Sequence, residues 1–549
     1  MKDKKLTSLL SDIQEQASKE KLAPEFTNNS INALEEFAGK VESLEDENQN
    51  LKNELNKLKG VTTPPDVRAQ TGKGGDHSSI GLRKKKPSKK GGSKKKHVKI
   101  DKTEKVTIDK SKLPTDAKRS GIKKTIIQDV IITTENIEFH RQMYFSKSEN
   151  KTYIAPLPVG YEGEYGPSLK TWVKTLYSAA QVTIDNIAFV LNTAGSIISP
   201  ATISRIITNN NNELHDEKLD IVKAGIKSTP YQHLDDTSGR ECGTNCYVNV
   251  LTNPYYTAYF TLKSKSRMSV VEMLSLDDVS YIFDGLSFSL MATMGLANKY
   301  IEYLKLHTSC LRYLKNGIEE LLQNLFPDPD KHHKSRKIIL EATSISSYQK
   351  SEYAIKYLIV DDAPQFKLIT EYLGLCWIHE GRHYKKLNPY FDINKKVLKQ
   401  FIKNFWSFYE LLKDYKEEPT QEKKIELNNK FDDIFSQKTG YKDLDRQIAR
   451  TLEKKEQLLL VLSYPWLPIH NNPAELAARF QARNRDIHYH TMSSDGTEIK
   501  DTLATITMTA KKLSVNVFNY LFDKITKRYE MTTLPELIKL RSDADLNLA

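Results

Sequence analysis

The chain has 549 residues and a formal net charge of +12, with 39% hydrophobic and 28% charged residues. At roughly 100–200 residues per domain there is room for several units, and so polar a composition implies that part of the chain stays unpacked. Its four cysteines (Cys242, Cys246, Cys310, Cys376) exclude a disulfide scaffold and fit a reducing cytoplasm. The most apolar run, Leu458–Pro468, is far shorter than a bilayer span, and the basic start is followed by no signal-like apolar stretch. A cytoplasmic protein with no membrane partner is expected. Its positive charge favours a polyanion, nucleic acid ahead of an anionic membrane surface.

In chain order, residues 1–60 predict a helical N-terminus, with a heptad over 31–59. Leu34, Val41, Asn48 and Leu55 fall at position a, and Phe37, Leu44, Leu51 and Leu58 at d. An Asn at one a position fixes register and favours two parallel strands. In such a homodimer Lys40 would meet Glu45, Glu47 meet Lys52 and Glu54 meet Lys59, all of opposite sign. An ordinary solvated helix also carries charges, but the narrow, regular seam favours a dimer.

Residues 61–125 predict a basic disordered linker. Arg83, Lys84, Lys85, Lys86, Lys89, Lys90, Lys94, Lys95 and Lys96 repel one another, and as a block they suit salt-dependent contact with DNA phosphates. A solubilising tether is the plainer alternative. Residues 126–164 follow as a separate segment. Residues 165–215 predict a helix-turn-helix: Thr183 caps IDNIAFVLNT, Gly195 turns the chain, and Ser199-Pro200 starts a second helix. Thr202, Ser204 and Arg205 would lie on its reading face. A plain helical hairpin is equally open from this segment alone.

From about residue 228 the texture becomes strand-like. TPYQHLDDTS, NCYVNVLTN and YYTAYFTLKS predict three consecutive antiparallel strands. Helices are predicted over about 270–325, then the strand YLIVDD, a helix APQFKLITEYLG, a strand-like LGLCWIHE, polar helices over 390–460, and closing helices from 474 on. The order is that of an α/β ribonuclease H-like catalytic core with a mixed sheet over 225–490, large helical insertions (about 270–350 and 390–460) and a tail over 491–549.

Phosphodiester chemistry with two divalent ions needs carboxylates brought together from separate elements. Asp235-Asp236 ends the first core strand and Asp361-Asp362 ends the fourth, and position within the strand does not choose between the members of either pair. Glu475 opens a late helix. With Asn472 as cap and Pro473 next, it occupies a capping-box position and could pair with Arg479, so read by itself it is structural sooner than catalytic.

Taken together, LDDTS, LIVDDAPQF with LCWIHEGRH, and LPIHNNPAELAAR with the SSDGTEIKD tail resemble the transposases of insertion-sequence family 66 over roughly residues 150–530. The resemblance implies a DDE transposase. Its catalytic and metal-holding residues would be Asp235, Asp361 and Glu475, with two Mg2+ (or Mn2+) ions, and Cys376, His379 and Asn472 would support the site by orienting a strand end or a phosphate. It further implies double-stranded DNA partners (terminal inverted repeats and target DNA), a homodimer or higher oligomer, small accessory proteins, and a prokaryotic, nucleoid-associated setting. Family members commonly have a zinc-binding cysteine cluster before the APLP stretch. Here HRQMYFSKSENKTY has none, so 126–164 reads as a degenerate zinc-ribbon-like segment and no zinc is predicted. A rival Cys3His zinc site from Cys242, Cys246, Cys376 and His379 is possible on spacing. The functional alternatives are a catalytically inactive or repurposed DNA-binding relative and a nuclease acting on branched DNA.

Overall fold

The computed structural model describes residues 29–37, 39–41, 43–44, 47–48, 51, 99–109, 113–114, 117 and 121–546 apart from 210, 277 and 309. The basic block Arg83–Lys96 and Leu55 lie outside them.

The first strands, β1 (Met143–Ser146) and β2 (Lys151–Ile154), form an exposed antiparallel hairpin within the segment read as a degenerate zinc-ribbon-like one. Four helices follow: α1 (Pro167–Ser178), α2 (Ile184–Thr193), α3 (Pro200–Thr208) and α4 (Asn212–Lys227). The capping signals act as expected. The Thr183 side chain accepts from Asn186 N, and the Ser199 side chain accepts from Thr202 N. Gly195 turns the chain at φ 96. Ile203 and Ile207 are buried and Arg205 is exposed, with Thr202 and Ser204 partly so. The buried Lys174 of α1 donates to Ile207 O (3.2 Å) and Asn211 Oδ1 (2.6 Å), tying α1 to the end of α3.

The centre is a mixed five-stranded sheet in the order β5-β4-β3-β8-β9. Strands β3 (Tyr231–Glu241), β4 (Thr244–Thr252) and β5 (Thr257–Leu262) form the expected antiparallel meander. The β3–β4 turn is Cys242-Gly243, with φ of 48 and 77, the two left-handed residues that a tight hairpin between twisted strands requires. An excursion then runs through α5 (Arg267–Ser275), α6 (Gly285–Thr293), α7 (Asn298–Thr308), α8 (Lys315–Leu325) and α9 (His333–Gln349). Short strands β6 (Tyr281–Ile282) and β7 (Arg312–Tyr313) pair within it.

The chain returns to the sheet in β8 (Tyr357–Val360), parallel to β3 and fully buried, and β9 (Tyr372–Leu375), parallel to β8. Here the structure corrects two expectations. APQFKLITEYLG is not a helix: Pro364–Phe366 makes one 3-10 turn, and the segment ends as β9, whose backbone groups complete the exposed edge of β8. LGLCWIHE is strand only as far as Leu375. From Trp377 the chain is helix α10 (Trp377–Lys386), with Cys376 at its N-cap.

The second excursion comprises α11 (Asp392–Glu417), α12 (Gln421–Phe435), α13 (Lys442–Leu452) and α14 (Lys455–Leu458), around buried Trp377, Phe405, Phe408, Phe431 and Phe435. The last helices are α15 (Asn472–His488), α16 (Ser494–Lys512), α17 (Val517–Ile525) and α18 (Leu534–Leu546). Helix α16 protects the edge strand β5: Asp501, Thr505 and Thr509, one turn apart, accept from Thr261 N (2.6 Å), Tyr259 N (3.1 Å) and Thr257 N (3.2 Å). The architecture is thus a mixed sheet with many helices, compatible with an α/β core carrying helical insertions. Among the described residues no helix is long and apolar enough to cross a membrane.

Candidate active site

Strands β3 and β8 run parallel, and their last register pair is His233↔Ile359. Two residues further in the same register, Asp235 comes level with Asp361. Residues i and i+2 of a strand share a face, so Asp235 lies on the same side as His233. That side is covered by α15, because His233 Nδ1 meets Asn471 Oδ1 (3.0 Å) at that helix's start. The Asn471 amide donates to Leu234 O (2.8 Å) through its Nδ2, so its oxygen accepts and His233 Nδ1 donates. Burial holds His233 down at about 3, so it stays neutral. Asn471 thereby clamps the beginning of α15, and with it Glu475, to the strand bearing Asp235.

The helix start differs from expectation by one residue. Asn471, not Asn472, is the N-cap, and its side chain serves the strand instead of the helix. Glu475 therefore sits one position past the capping-box site. Asn472 is the first helical residue, and its Oδ1 is buried with no hydrogen-bond partner among the described residues.

The other acids act on Asp235 through their charge. The Asp235 carboxyl is pushed up to about 7, first by burial and then by Asp361, with Asp236 and Glu475 adding to it. The backbone N–H of Asp236 (2.9 Å) partly offsets this.

The two Asp-Asp pairs split in the same way. Asp235 and Asp361 accept backbone N–H groups, from Asp236 (2.9 Å) and Ala363 (3.1 Å). Their neighbours are claimed by cations. Asp236 pairs with Lys265 (2.7 Å) and accepts from Gln365 Nε2 (2.6 Å). Asp362 pairs with Lys367 (2.7 Å) and Lys454 (3.1 Å). Burial works to raise the Asp362 carboxyl, but the two ammoniums prevail and hold it below the usual range. Lys454 also grips buried Glu380 on α10 (2.6 Å).

Helix α10 closes the site. The Cys376 thiol is buried, pushed up to about 11, and accepts from Asn471 N (3.1 Å), so it is a neutral packing and hydrogen-bonding group. His379, one turn on, is held below its usual range by burial, while Asp361 and Glu475 pull it upward and Arg382 pushes it down. Arg382, a residue that the sequence did not single out, grips Glu475 with Nη2 at 2.6 and 2.7 Å from its two oxygens. The anticipated Arg479–Glu475 pair also forms, at 3.0 Å. Once CWIHEGRH is seen as a helix, the three-residue spacing from Cys376 to His379 to Arg382 puts all three on one face.

The rival cysteine site is held apart. Cys246 pairs with Gly239, four residues along β3 from Asp235, which is level with Asp361 and, across β8, with Cys376. At ~3.3 Å per residue, that is roughly 13 Å from the level of Cys376. The acids offer hard oxygen donors from three elements, the donor type that magnesium or manganese takes. Asp235 and Asp361 are of the right type and close enough for the charge of one to act on the other. Glu475 fits by type and place but is turned to its arginines, and among the described residues no three His, Cys, Asp or Glu side chains are drawn into a metal-holding group.

Comparison with known proteins adds an independent finding. Residues 353–499 match the family model described as "Transposase IS66 family", a span that contains Asp361, α10 and Glu475 but not Asp235. The chain is 27% identical over 314 residues to "Uncharacterized protein y4jO" of Sinorhizobium fredii, covering 56% of this chain and 94% of that protein. No solved structure matches the chain.

Proposed function

With residues 353–499 forming a domain of the insertion-sequence 66 transposase family, we propose that this chain is a DDE transposase. It binds the terminal inverted repeats of its own element and carries out metal-dependent DNA cleavage and strand transfer. The observation that carries the reading is that the charges of Asp361, at the end of the parallel neighbour strand, and of Glu475, on a covering helix, both act on the Asp235 carboxyl, while the other Asp of each pair is neutralised by lysines. The sheet order, an antiparallel meander continued by two parallel strands, supports a ribonuclease H-like core. Helices α2 and α3 support a helix-turn-helix with Thr202, Ser204 and Arg205 toward DNA, and the net charge of +12 supports a polyanionic substrate.

Asp235, Asp361 and Glu475 would hold two Mg2+ or Mn2+ ions, which when bound activate the attacking oxygen and stabilise the leaving one. Water attacks the scissile phosphorus and the P–O3′ bond breaks; one proton ends on O3′ and the other leaves to solvent, giving a 3′-hydroxyl and a 5′-phosphate. That hydroxyl then attacks a target phosphodiester, releasing a target 3′-hydroxyl. Asp235 and Asp361 supply fixed anionic oxygens from the sheet. Asn471 keeps Glu475 registered to β3, and His379 and Cys376 hold the α10 end of the site.

The test is repeat-end cleavage and joining with Mg2+ or Mn2+. Asp361→Asn should lower the rate by at least about a thousandfold while leaving repeat-end binding intact. Undiminished cleavage by that variant sinks the assignment. Tight repeat-end binding by the wild type without cleavage under any metal condition favours the repurposed DNA-binding reading.

A further inference from the structure

Arg382 stands closest to the acids of all the cations on α10. Its side chain is 15% exposed, against 43% for Arg479, and one of its nitrogens lies within hydrogen-bond distance of both Glu475 oxygens. Its helix is fixed from several sides: Cys376 by Asn471 N (3.1 Å), Glu380 by Lys454 (2.6 Å), and Trp377 Nε1 by Leu458 O (2.8 Å). The guanidinium is therefore presented from a rigid element into the acid cluster.

A guanidinium fork suits a carboxylate and a phosphate equally well. A carboxylate fully committed to arginine, in turn, has its oxygens turned away from any other cation. We propose that Arg382 is a phosphate-positioning residue of the DNA reaction, exchanging its grip on Glu475 for a DNA phosphodiester and so releasing Glu475 to a divalent ion. Arg479, one turn further along α15, retains the Glu475 side chain on its own helix during the exchange. The inference rests on the transposase reading above. It assigns the C-terminal end of the CWIHEGR face to substrate contact, whereas Cys376 holds structure through Asn471 N.

The experiment uses the full chain and two probes, Mn2+ alone and a short DNA duplex of arbitrary sequence. Mn2+ binding is followed by calorimetry or by the electron-spin signal of the free ion. Arg382→Gln should bind Mn2+ about fivefold to tenfold more tightly than the wild type, because a charge-assisted pair no longer competes for Glu475. The same variant should bind duplex more weakly, with the slope of log affinity against log salt reduced by about 1, as for one lost phosphate contact. Arg382→Lys keeps the charge without the fork and should fall between the two, while thermal melts show that both variants fold.

Unchanged or weaker Mn2+ binding by folded Arg382→Gln, with Asp361→Asn losing Mn2+ as expected, overturns the exchange but not the metal site. An unchanged salt slope overturns the phosphate contact. Absence of Mn2+ binding by the wild type overturns the metal site, and the exchange with it.

Discussion

A carboxylate crowded by other carboxylates, with little water to spread its charge, holds on to its proton. Asp235 is in that position, pushed up to about 7 by burial and by Asp361. The consequence for stability has a definite sign. Between the unfolded value of 3.8 and about 7 the folded chain keeps a proton that the unfolded chain has lost, so stability falls as pH rises through that window. Without screening, such a shift corresponds to about 4 kcal/mol, and partial exposure reduces it to about 1–2 kcal/mol. Asp235→Asn should therefore melt higher than the wild type at pH about 8 in chelator, with the difference vanishing below pH about 4. Equal melting at the higher pH would show that Asp235 bears no such strain. The same residues show why sequence could not choose within the pairs. Asp235 and Asp236 differ through Lys265, and Asp361 and Asp362 through Lys367 and Lys454, and Lys265 and Lys454 reach the acids from other elements.

At the level of elements, legibility followed the hydrogen-bonding context. The meander was readable because alternation, turn residues and caps are local signals, and β8 because a short apolar run before two acids suits a buried strand. The stretch 363–376 was not readable. Four residues, YLGL, become strand only because β8 offers them an unpaired edge, and nothing within the segment records that edge. Misplacing β9 hid the helical face of α10 and so concealed Arg382. Gly381 on that helix offers a direct test of how tightly it is seated. Glycine to alanine in a helix interior gains about 1 kcal/mol from backbone entropy. Here, however, an added Cβ would stand 2.6 Å from Trp406 and 2.9 Å from Phe405, rings that pack on α10 from α11. Overpacking costs ~1–3 kcal/mol and wins. Gly381→Ala should lower the melting temperature, and by shifting α10 it should also weaken DNA end cleavage. A variant as stable as the wild type would mean that α10 moves freely against α11.

For the whole molecule, the issue is what the N-terminal helix is attached to. Ile31 is buried against Phe391 beside Leu34 and Tyr390, and Glu35 accepts from the backbone N–H groups at the start of α11. Asn32 donates to Gly440 O (2.9 Å) and accepts from Lys442 N (3.1 Å) at the start of α13. One face of the helix is thus docked on the second insertion, and Leu34, expected in the dimer seam, is turned partly to that dock. The d positions Phe37, Leu44 and Leu51 remain about 60% exposed. A dimer of the kind the heptad predicts would then pair through the d-side, with Val41, Asn48 and Leu55 as its remaining a positions, while the dock carries each folded body along. Leu44→Glu puts a charge into that seam without touching the folded body. In sedimentation experiments at micromolar concentration it should convert dimers to monomers with the melting temperature of the body unchanged. Wild-type monomers, or dimers that survive Leu44→Glu, would refute the seam. Loss of stability in the same variant would instead mean that the d face packs within one chain.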